Sequence, residues 1–150
     1  VKVVYYPDFI NAASPLLPMD YEQFARGCHL GVFPSYYEPW GYTPEECLSL
    51  GTPAITSDLS GFGAYSLHNM QNPADQGLYV IPRRYVSYEE SLRELTDVLY
   101  DYAQLDRRQR ITLRNKVEAS AGQFSWSILI SNYLHAYEEA RHREAARRAA

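Results

Sequence analysis

Two glutamates, Glu38 and Glu46, are the residues of this sequence best suited to chemistry. They are the first and last residues of the nine-residue motif Glu-Pro-Trp-Gly-Tyr-Thr-Pro-Glu-Glu, called the glutamate word below. This word predicts a tight turn and a helix start, because Gly41 lets the backbone approach a ligand closely and a Thr-Pro pair commonly begins a helix. The N–H groups of Gly41, Tyr42 and Thr43 should then be free to hold a phosphate at the positive end of the helix. We therefore expect two carboxylates to flank a phosphate-sized hole.

The elements that must position this word alternate between short apolar runs and helical segments, which is the pattern of βα units and a parallel sheet. The strand candidates are residues 1–6, 30–34, 53–56 and 78–81. The glutamate word follows the second candidate, at the carboxyl end where α/β sheets place their ligands. Asp20 should cap a helix from residue 21 to about residue 28, and the Thr43 hydroxyl should cap the next helix, which Gly51 ends.

From Ser87 onward the apolar period changes from two to 3.6, which indicates helices. Ser87 begins a capping box, a second helix should start at Asp106, and a third should start near Ser125. We therefore predict an α/β fold, a Rossmann-like parallel sheet of about four short strands followed by a C-terminal group of helices. Residues 1–86 form the α/β part, and residues 87–150 form the helical part.

The composition excludes several classes of function. The chain has 150 residues, of which 46% are hydrophobic and 21% charged, as in a single globular domain. The net charge of −4 argues against nucleic-acid binding, and no apolar run approaches the length of a membrane span. Cys28 and Cys47 lack the spacing of metal ligands, so we expect no metal and a cytoplasmic protein with reduced thiols. The chain starts without Met inside a strand candidate, so we expect it to be part of a longer polypeptide.

Three sequence words resemble those of animal- and fungal-type glycogen synthases. They are residues 21–44, which match that family almost word for word, then Leu-Ser-Gly-Phe-Gly at 59–63 and Arg-Arg-Gln-Arg-Ile at 107–111. The E-x7-E pattern of Glu38 and Glu46 is also that of retaining glycosyltransferases with two facing nucleotide-binding domains. The resemblance implies an enzyme that transfers glucose from UDP-glucose, with retention, to the 4-hydroxyl of an α-1,4-glucan.

The resemblance also implies a role for each matching residue of residues 1–86, the nucleotide-sugar-binding part. Tyr21 would stack on uracil, Glu46 would accept hydrogen bonds from the ribose, and Glu38 would lie beside the transferred glucose as the catalytic residue. The diphosphate would contact the backbone of residues 41–43 and the Thr43 hydroxyl. Trp40 could belong to the core, form a wall of the substrate site, or do both. The residues expected to bind the donor are Tyr21, Trp40, Gly41, Tyr42, Thr43 and Glu46.

The resemblance implies that the rest of the machinery lies outside this chain. The cationic pair that grips the diphosphate comes earlier in such enzymes, and the glucan acceptor meets the missing N-terminal domain. No cofactor is implied, since the nucleotide sugar is a substrate and no metal is needed. The chain alone should therefore be inactive.

Four arginines, Arg107, Arg108, Arg110 and Arg114, would ordinarily indicate a solvated helix face. The resemblance instead implies the arginine helix through which glucose 6-phosphate activates and phosphorylated tails inhibit. The family's next two arginines correspond to Lys116 and Ala119, so this cluster should be weaker. An alternative function is therefore a regulatory and oligomerisation module that binds sugar phosphate, and we expect the parent to be a homo-oligomer.

A second alternative is a fragment of another retaining nucleotide-sugar glycosyltransferase, such as a sucrose, trehalose-phosphate or bacterial-type starch synthase. Those enzymes share the E-x7-E pair but lack the wording of residues 36–42.

Overall fold

The sheet of the computed structural model, which describes residues 2–149, has three parallel strands in the order β1-β2-β3. They are β1 (Gly31–Val32), β2 (Ala54–Ser57) and β3 (Leu78–Ile81). Gly31 pairs with Ala54, and Ala54 pairs with Leu78. The central strand is wholly buried, as a strand covered on both faces must be. The predicted α/β class with a Rossmann-like parallel sheet is confirmed.

The predicted first strand, residues 1–6, is wrong for residues 2–6, which form no strand. Val1 lies outside the described residues. Val3, Val4 and Tyr5 are 87%, 75% and 84% exposed. A strand needs a neighbour to satisfy its backbone and a face to bury its side chains, and no segment of residues 2–149 supplies either. The described sheet therefore has three strands rather than about four.

Six α-helices occur within residues 2–149. They are α1 (Tyr21–Gly27), α2 (Tyr42–Ser49), α3 (Gly61–Asn69), α4 (Tyr88–Gln104), α5 (Arg107–Ala121) and α6 (Trp126–Ala149), with 3-10 turns at Pro73–Gln76 and Gly122–Phe124. Helix α2 connects β1 to β2, and α3 with the first 3-10 turn connects β2 to β3, as parallel strands require.

The local start signals of the C-terminal helices are confirmed. The Ser87 hydroxyl accepts a hydrogen bond from the Glu90 N–H at 3.2 Å, and the Asp106 carboxylate accepts one from the Gln109 N–H at 2.8 Å. Both are capping boxes, in which the side chain of the third helical residue accepts a hydrogen bond from the N–H of the cap residue. Each helix within residues 2–149 is too short or too polar to cross a membrane.

The hydrophobic core holds α2 in place against the sheet and α5. Its buried members are Cys47, Leu48, Ala54, Phe62, Met70, Leu78, Val117 and Phe124. Leu48 of α2, Phe62 of α3 and Val117 of α5 are all fully buried, and each contributes about 1.5–3 kcal/mol of hydrophobic stabilisation. The core therefore anchors α2 through Cys47 and Leu48 in its C-terminal half.

Candidate active site

The segment that leaves β1 runs alongside the start of α3. Glu38 and Ser60 form an isolated parallel bridge. The Gly61 N–H donates to the Glu38 carbonyl at 3.0 Å, and the Phe62 N–H donates to the Trp40 carbonyl at 2.7 Å. Two of the words that were noted in the sequence, around residues 38–46 and 59–63, therefore meet at the carboxyl edge of the sheet.

The contact between these two segments is so close that position 61 must be glycine. A Cβ atom on Gly61 would lie 2.2 Å from the carbonyl oxygen of Pro39 and 3.2 Å from the Cα of Trp40. Those atoms belong to the backbone and cannot rotate away as a flexible side chain could. The backbone of α3 thus packs directly against the backbone of the Glu38 segment.

Helix α2 begins two residues earlier than the sequence indicated. Its N-cap is Gly41, with φ 109° and ψ 68°, a left-handed conformation that suits glycine. The prediction that Thr43 caps the helix is wrong, because the glycine turn makes Thr43 the second helical residue and leaves its side chain exposed. Pro44 follows at the third position, where its missing N–H costs nothing.

The first N–H groups of α2 have no hydrogen-bond partner outside their helix among the described residues. Among residues 2–149, the N–H groups of Gly41, Tyr42 and Thr43 donate to no side chain and to no carbonyl outside their helix. The N-terminus of a helix also carries partial positive charge. This arrangement can accept an anion such as a phosphate without disturbing the protein's own hydrogen bonds.

The start of α3, at the same edge, is closed. The Gly61 and Phe62 N–H groups bind the Glu38 segment, and the Gly63 N–H donates to the Ser60 hydroxyl at 2.9 Å. Ser60 is in turn held by the Thr56 hydroxyl at 2.9 Å. Of these two neighbouring helix starts, α2 is thus the one that can take a ligand.

Glu38 lies close to the start of α2, and Glu46 lies further along the same helix. Glu38 is half-buried, and its Cγ would be 3.4 Å from a Cβ placed on Gly41. Glu46 is exposed in the second turn of α2. Burial, followed by the charges of Cys47 and Glu46, raises the pKa of Tyr21 on α1. The structure therefore places Glu38 beside Gly41 at the start of α2, whereas Glu46, whose charge acts on Tyr21, lies in the second half of that helix.

Trp40 is packed into the protein and also lines a cavity. Its ring lies 5.9 Å from that of Phe62 and 5.5 Å from that of Tyr65, and its indole N–H donates to a Glu45 carboxylate oxygen at 2.6 Å. The same ring lines an open cavity of about 510 Å³ together with the exposed Tyr42. Trp40 therefore packs against the core and also lines a cavity, and its role as a substrate wall stays a prediction.

Arg83 and Asp58 were not identified from the sequence. Arg83 lies two residues past β3 and contacts the segment that precedes Glu38, while Asp58 lies directly after β2 and accepts hydrogen bonds from the Arg83 region. The signal that could have found them is their position at the carboxyl ends of two strands, where ligand sites of parallel sheets form.

The four arginines of α5 do not share one environment. Arg107 and Arg108 are exposed, and no carboxylate within residues 2–149 forms an ion pair with either. Arg110 donates to the Leu105 carbonyl at 2.6 Å. Arg114 donates to the carbonyls of Cys28 at 2.9 Å and of Arg26 at 3.0 Å, and so closes the end of α1. Phosphate binding by this set stays a prediction, and two of its members already have structural partners.

Fold and site together define a class: a Rossmann-like α/β unit that carries an E-x7-E carboxylate pair around an open helix start at the ligand edge of its sheet. The family model described as glycogen synthase matches residues 1–148. The chain therefore belongs to the glycogen synthase family, which confirms the resemblance noted in the sequence.

Named relatives agree with this family. The chain is 50% identical over 136 residues to the liver glycogen [starch] synthase of Rattus norvegicus, 51% identical over 129 residues to the glycogen [starch] synthase of Caenorhabditis elegans, and 46% identical over 136 residues to that of Neurospora crassa. These alignments cover 91%, 86% and 91% of this chain. The chain spans 19% of the length of each of these relatives.

Proposed function

We propose that this chain is the donor-binding part of a glycogen [starch] synthase. In the parent enzyme it would bind UDP-glucose, from which glucose is transferred with retention to the 4-hydroxyl of an α-1,4-glucan. The observation that carries the proposal is the open start of α2, whose free N–H groups lie beside Glu38. Membership of the glycogen synthase family supports it.

The roles of the residues follow from the charges that develop during transfer. As UDP departs, negative charge grows on the diphosphate and positive charge grows on the oxocarbenium-like glucose. The N–H groups of Gly41, Tyr42 and Thr43 stabilise the first, because preorganised donors need no rearrangement. The Glu38 carboxylate, beside the same turn, stabilises the second.

The nucleoside end of the donor fits the other side chains of this surface. Tyr21 would stack on the uracil and Glu46 would accept hydrogen bonds from the ribose, the roles that the family resemblance implies for these positions. In this proposal no metal or other cofactor takes part. The cations for the diphosphate and the acceptor-binding surface come from the parts of the parent that lie outside these 150 residues.

Titration of the isolated chain with UDP tests donor binding. We expect weak binding at millimolar UDP, unchanged by a chelator, with nuclear magnetic resonance shifts at residues 41–46 and at Tyr21. Uridine without phosphate is the matched control and should shift Tyr21 but not Gly41. An absence of both heat and shifts near residues 41–46 would show that the site is assigned wrongly.

The two glutamates can be separated by kinetics in the full-length parent. Glu38→Gln should lower kcat by much more than it raises KM for UDP-glucose, because its carboxylate acts on charge that exists only in the transition state. Glu46→Gln should mainly raise KM, because a ribose contact is equal in ground and transition states. Equal losses of kcat in the two variants would contradict this division.

A second candidate function is regulation by a sugar phosphate on α5. Arg107 and Arg108 favour it, because they are exposed and form no ion pair with a carboxylate of residues 2–149, and because guanidinium groups bind phosphate through two parallel hydrogen bonds. Titration with glucose 6-phosphate should then shift Arg107 and Arg108 and leave Gly41 unaffected. Shifts at Gly41 alone would assign the sugar phosphate to the donor site instead.

A further inference from the structure

Arg83 reaches from the end of β3 to the segment that leads into Glu38. Its guanidinium donates to the Pro34 carbonyl at 2.5 Å. The same group lies 3.7 Å from the centroid of the Tyr36 ring, within the range of a cation–π contact. One side chain therefore holds both the backbone and an aromatic side chain of the segment that precedes the candidate catalytic glutamate.

The backbone of Arg83 is itself fixed by Asp58. One Asp58 carboxylate oxygen accepts the Arg83 N–H at 2.8 Å, and the other accepts the Arg84 N–H at 3.3 Å. Next to it, the Ser57 hydroxyl donates to the Ser35 carbonyl at 2.6 Å. The side chains of Ser57, at the end of β2, and of Arg83, after β3, thus hold residues 34–36.

Glu38 directly follows Tyr37, the residue between two attached segments. Residues 34–36 are held by Arg83 and Ser57, and residues 38–40 are held by the first N–H groups of α3. Between the two attachments, Tyr37 is 80% exposed. Arg83 thus fixes the segment that ends one residue before Tyr37, whereas α2 is held independently by its buried Cys47 and Leu48.

We propose that Arg83 is a positioning residue for Glu38 in glucosyl transfer. This inference rests on the proposed function, since it assigns Arg83 a role through the carboxylate that faces the glucose. Loss of the guanidinium leaves the Ser57 hydroxyl as the remaining side-chain contact on residues 34–36 and lets the Glu38 side chain shift, while the donor contacts of α2 stay in place. A displacement of about 1 Å at a catalytic group can cost about 100-fold in rate.

The test uses the full-length parent with Arg83→Gln, Glu38→Gln and the double variant. Arg83→Gln should lower kcat by about 10- to 100-fold and change KM for UDP-glucose by less than about threefold. In the Glu38→Gln background, whose residual turnover is measured with excess enzyme, Arg83→Gln should cause little further loss. Arg83→Lys should recover part of kcat, because an ammonium can still donate to the Pro34 carbonyl.

Tyr36 provides a matched pair of variants that leaves Arg83 intact. Tyr36→Phe keeps the ring beneath the guanidinium and should behave as wild type. Tyr36→Leu removes the ring and should lower kcat in the same direction as Arg83→Gln. This pair tests the inference even if Arg83→Gln fails to fold, which unfolding curves of each variant would reveal.

The outcomes separate this inference from the proposed function. Equal losses of kcat from Arg83→Gln in the wild-type and Glu38→Gln backgrounds would overturn the positioning role, and so would a raised KM with unchanged kcat. If Glu38→Gln retains full turnover, the role proposed for Glu38 is wrong, and the positioning role is wrong with it. If Glu38→Gln loses turnover while Arg83→Gln and Tyr36→Leu do not, only the role of Arg83 is refuted.

Discussion

Replacing Gly61 with alanine should separate the Glu38 segment from α3. The new Cβ would lie 2.2 Å from the Pro39 carbonyl oxygen, whereas ordinary contacts begin at 3.4 Å, so the two backbones must move apart by about 1.2 Å. That movement breaks two hydrogen bonds, from the Gly61 N–H to the Glu38 carbonyl and from the Phe62 N–H to a carbonyl of the same segment.

The cost can be worked from these contacts. Each lost hydrogen bond removes about 1 kcal/mol, and forcing an extra carbon into a packed site costs about 1–3 kcal/mol. We therefore expect Gly61→Ala to lower the free energy of unfolding by about 3–5 kcal/mol, a large part of the 5–15 kcal/mol typical of a domain.

Gly122→Ala is the matched control for this substitution. No atom lies within 4 Å of a Cβ at position 122, and the residue has right-handed helical angles, φ −57° and ψ −23°. Alanine there should stabilise the protein by about 0.4–1 kcal/mol, because it restricts the unfolded chain. The same chemical change should thus act in opposite directions at the two positions.

Urea unfolding of the chain, followed by circular dichroism, measures both effects. With a slope of about 1–3 kcal/mol per M for small proteins, Gly61→Ala should move the midpoint down by about 2 M. Resonances of residues 38–41 should shift in the folded variant. A Gly61→Ala midpoint that matches wild type would show that the two backbones are not in the contact described, and so would equal destabilisation by Gly122→Ala.

Three further predictions concern side chains with distinct local roles. Arg114→Ala should destabilise the chain by about 2 kcal/mol in urea unfolding, because its guanidinium holds two carbonyls, whereas exposed Arg108→Ala should change stability by less than about 0.5 kcal/mol. Burial raises the pKa of Cys47 to about 11 from an ordinary 9, so mass spectrometry at pH 8 should find iodoacetamide on half-buried Cys28 first. Because the unfolded thiol ionises first, Cys47 should also make stability fall as pH rises from 9 toward 11. Trp40→Phe keeps the ring packing but loses the indole hydrogen bond of 2.6 Å, and should cost about 1 kcal/mol in the same unfolding assay.

Elements whose signals are local could be predicted from the sequence. The third and fourth strand candidates, 53–56 and 78–81, correspond to Ala54–Ser57 and Leu78–Ile81, because short apolar runs bounded by turn residues form buried strands. The caps at Ser87 and Asp106 are also local, since each needs only a side chain and a backbone N–H three residues later.

Features that depend on a distant partner could not be predicted in this way. Residues 2–6 have the composition of a strand but no neighbour within residues 2–149, so composition alone misassigned them. The Thr-Pro pair gave a helix start, but the left-handed Gly41 sets the cap, which Thr43 therefore does not provide. Arg114 belongs by sequence to a basic helix face, yet carbonyls 86 and 88 residues away occupy its donors.

The word at residues 59–63 has a physical explanation that differs from that of the word at 38–46. Its glycines are required by backbone contact: a Cβ on Gly61 would meet the Pro39 carbonyl oxygen at 2.2 Å, and one on Gly63 would meet the Ser57 carbonyl oxygen at 2.1 Å. Its N–H groups donate hydrogen bonds to the segment that carries Glu38 and to the Ser60 hydroxyl. Because the first N–H groups of α3 already have acceptors within the protein, they are not available to bind a phosphate. The start of α3 instead donates hydrogen bonds to residues 38–40, the segment that leads to Gly41, the N-cap of α2.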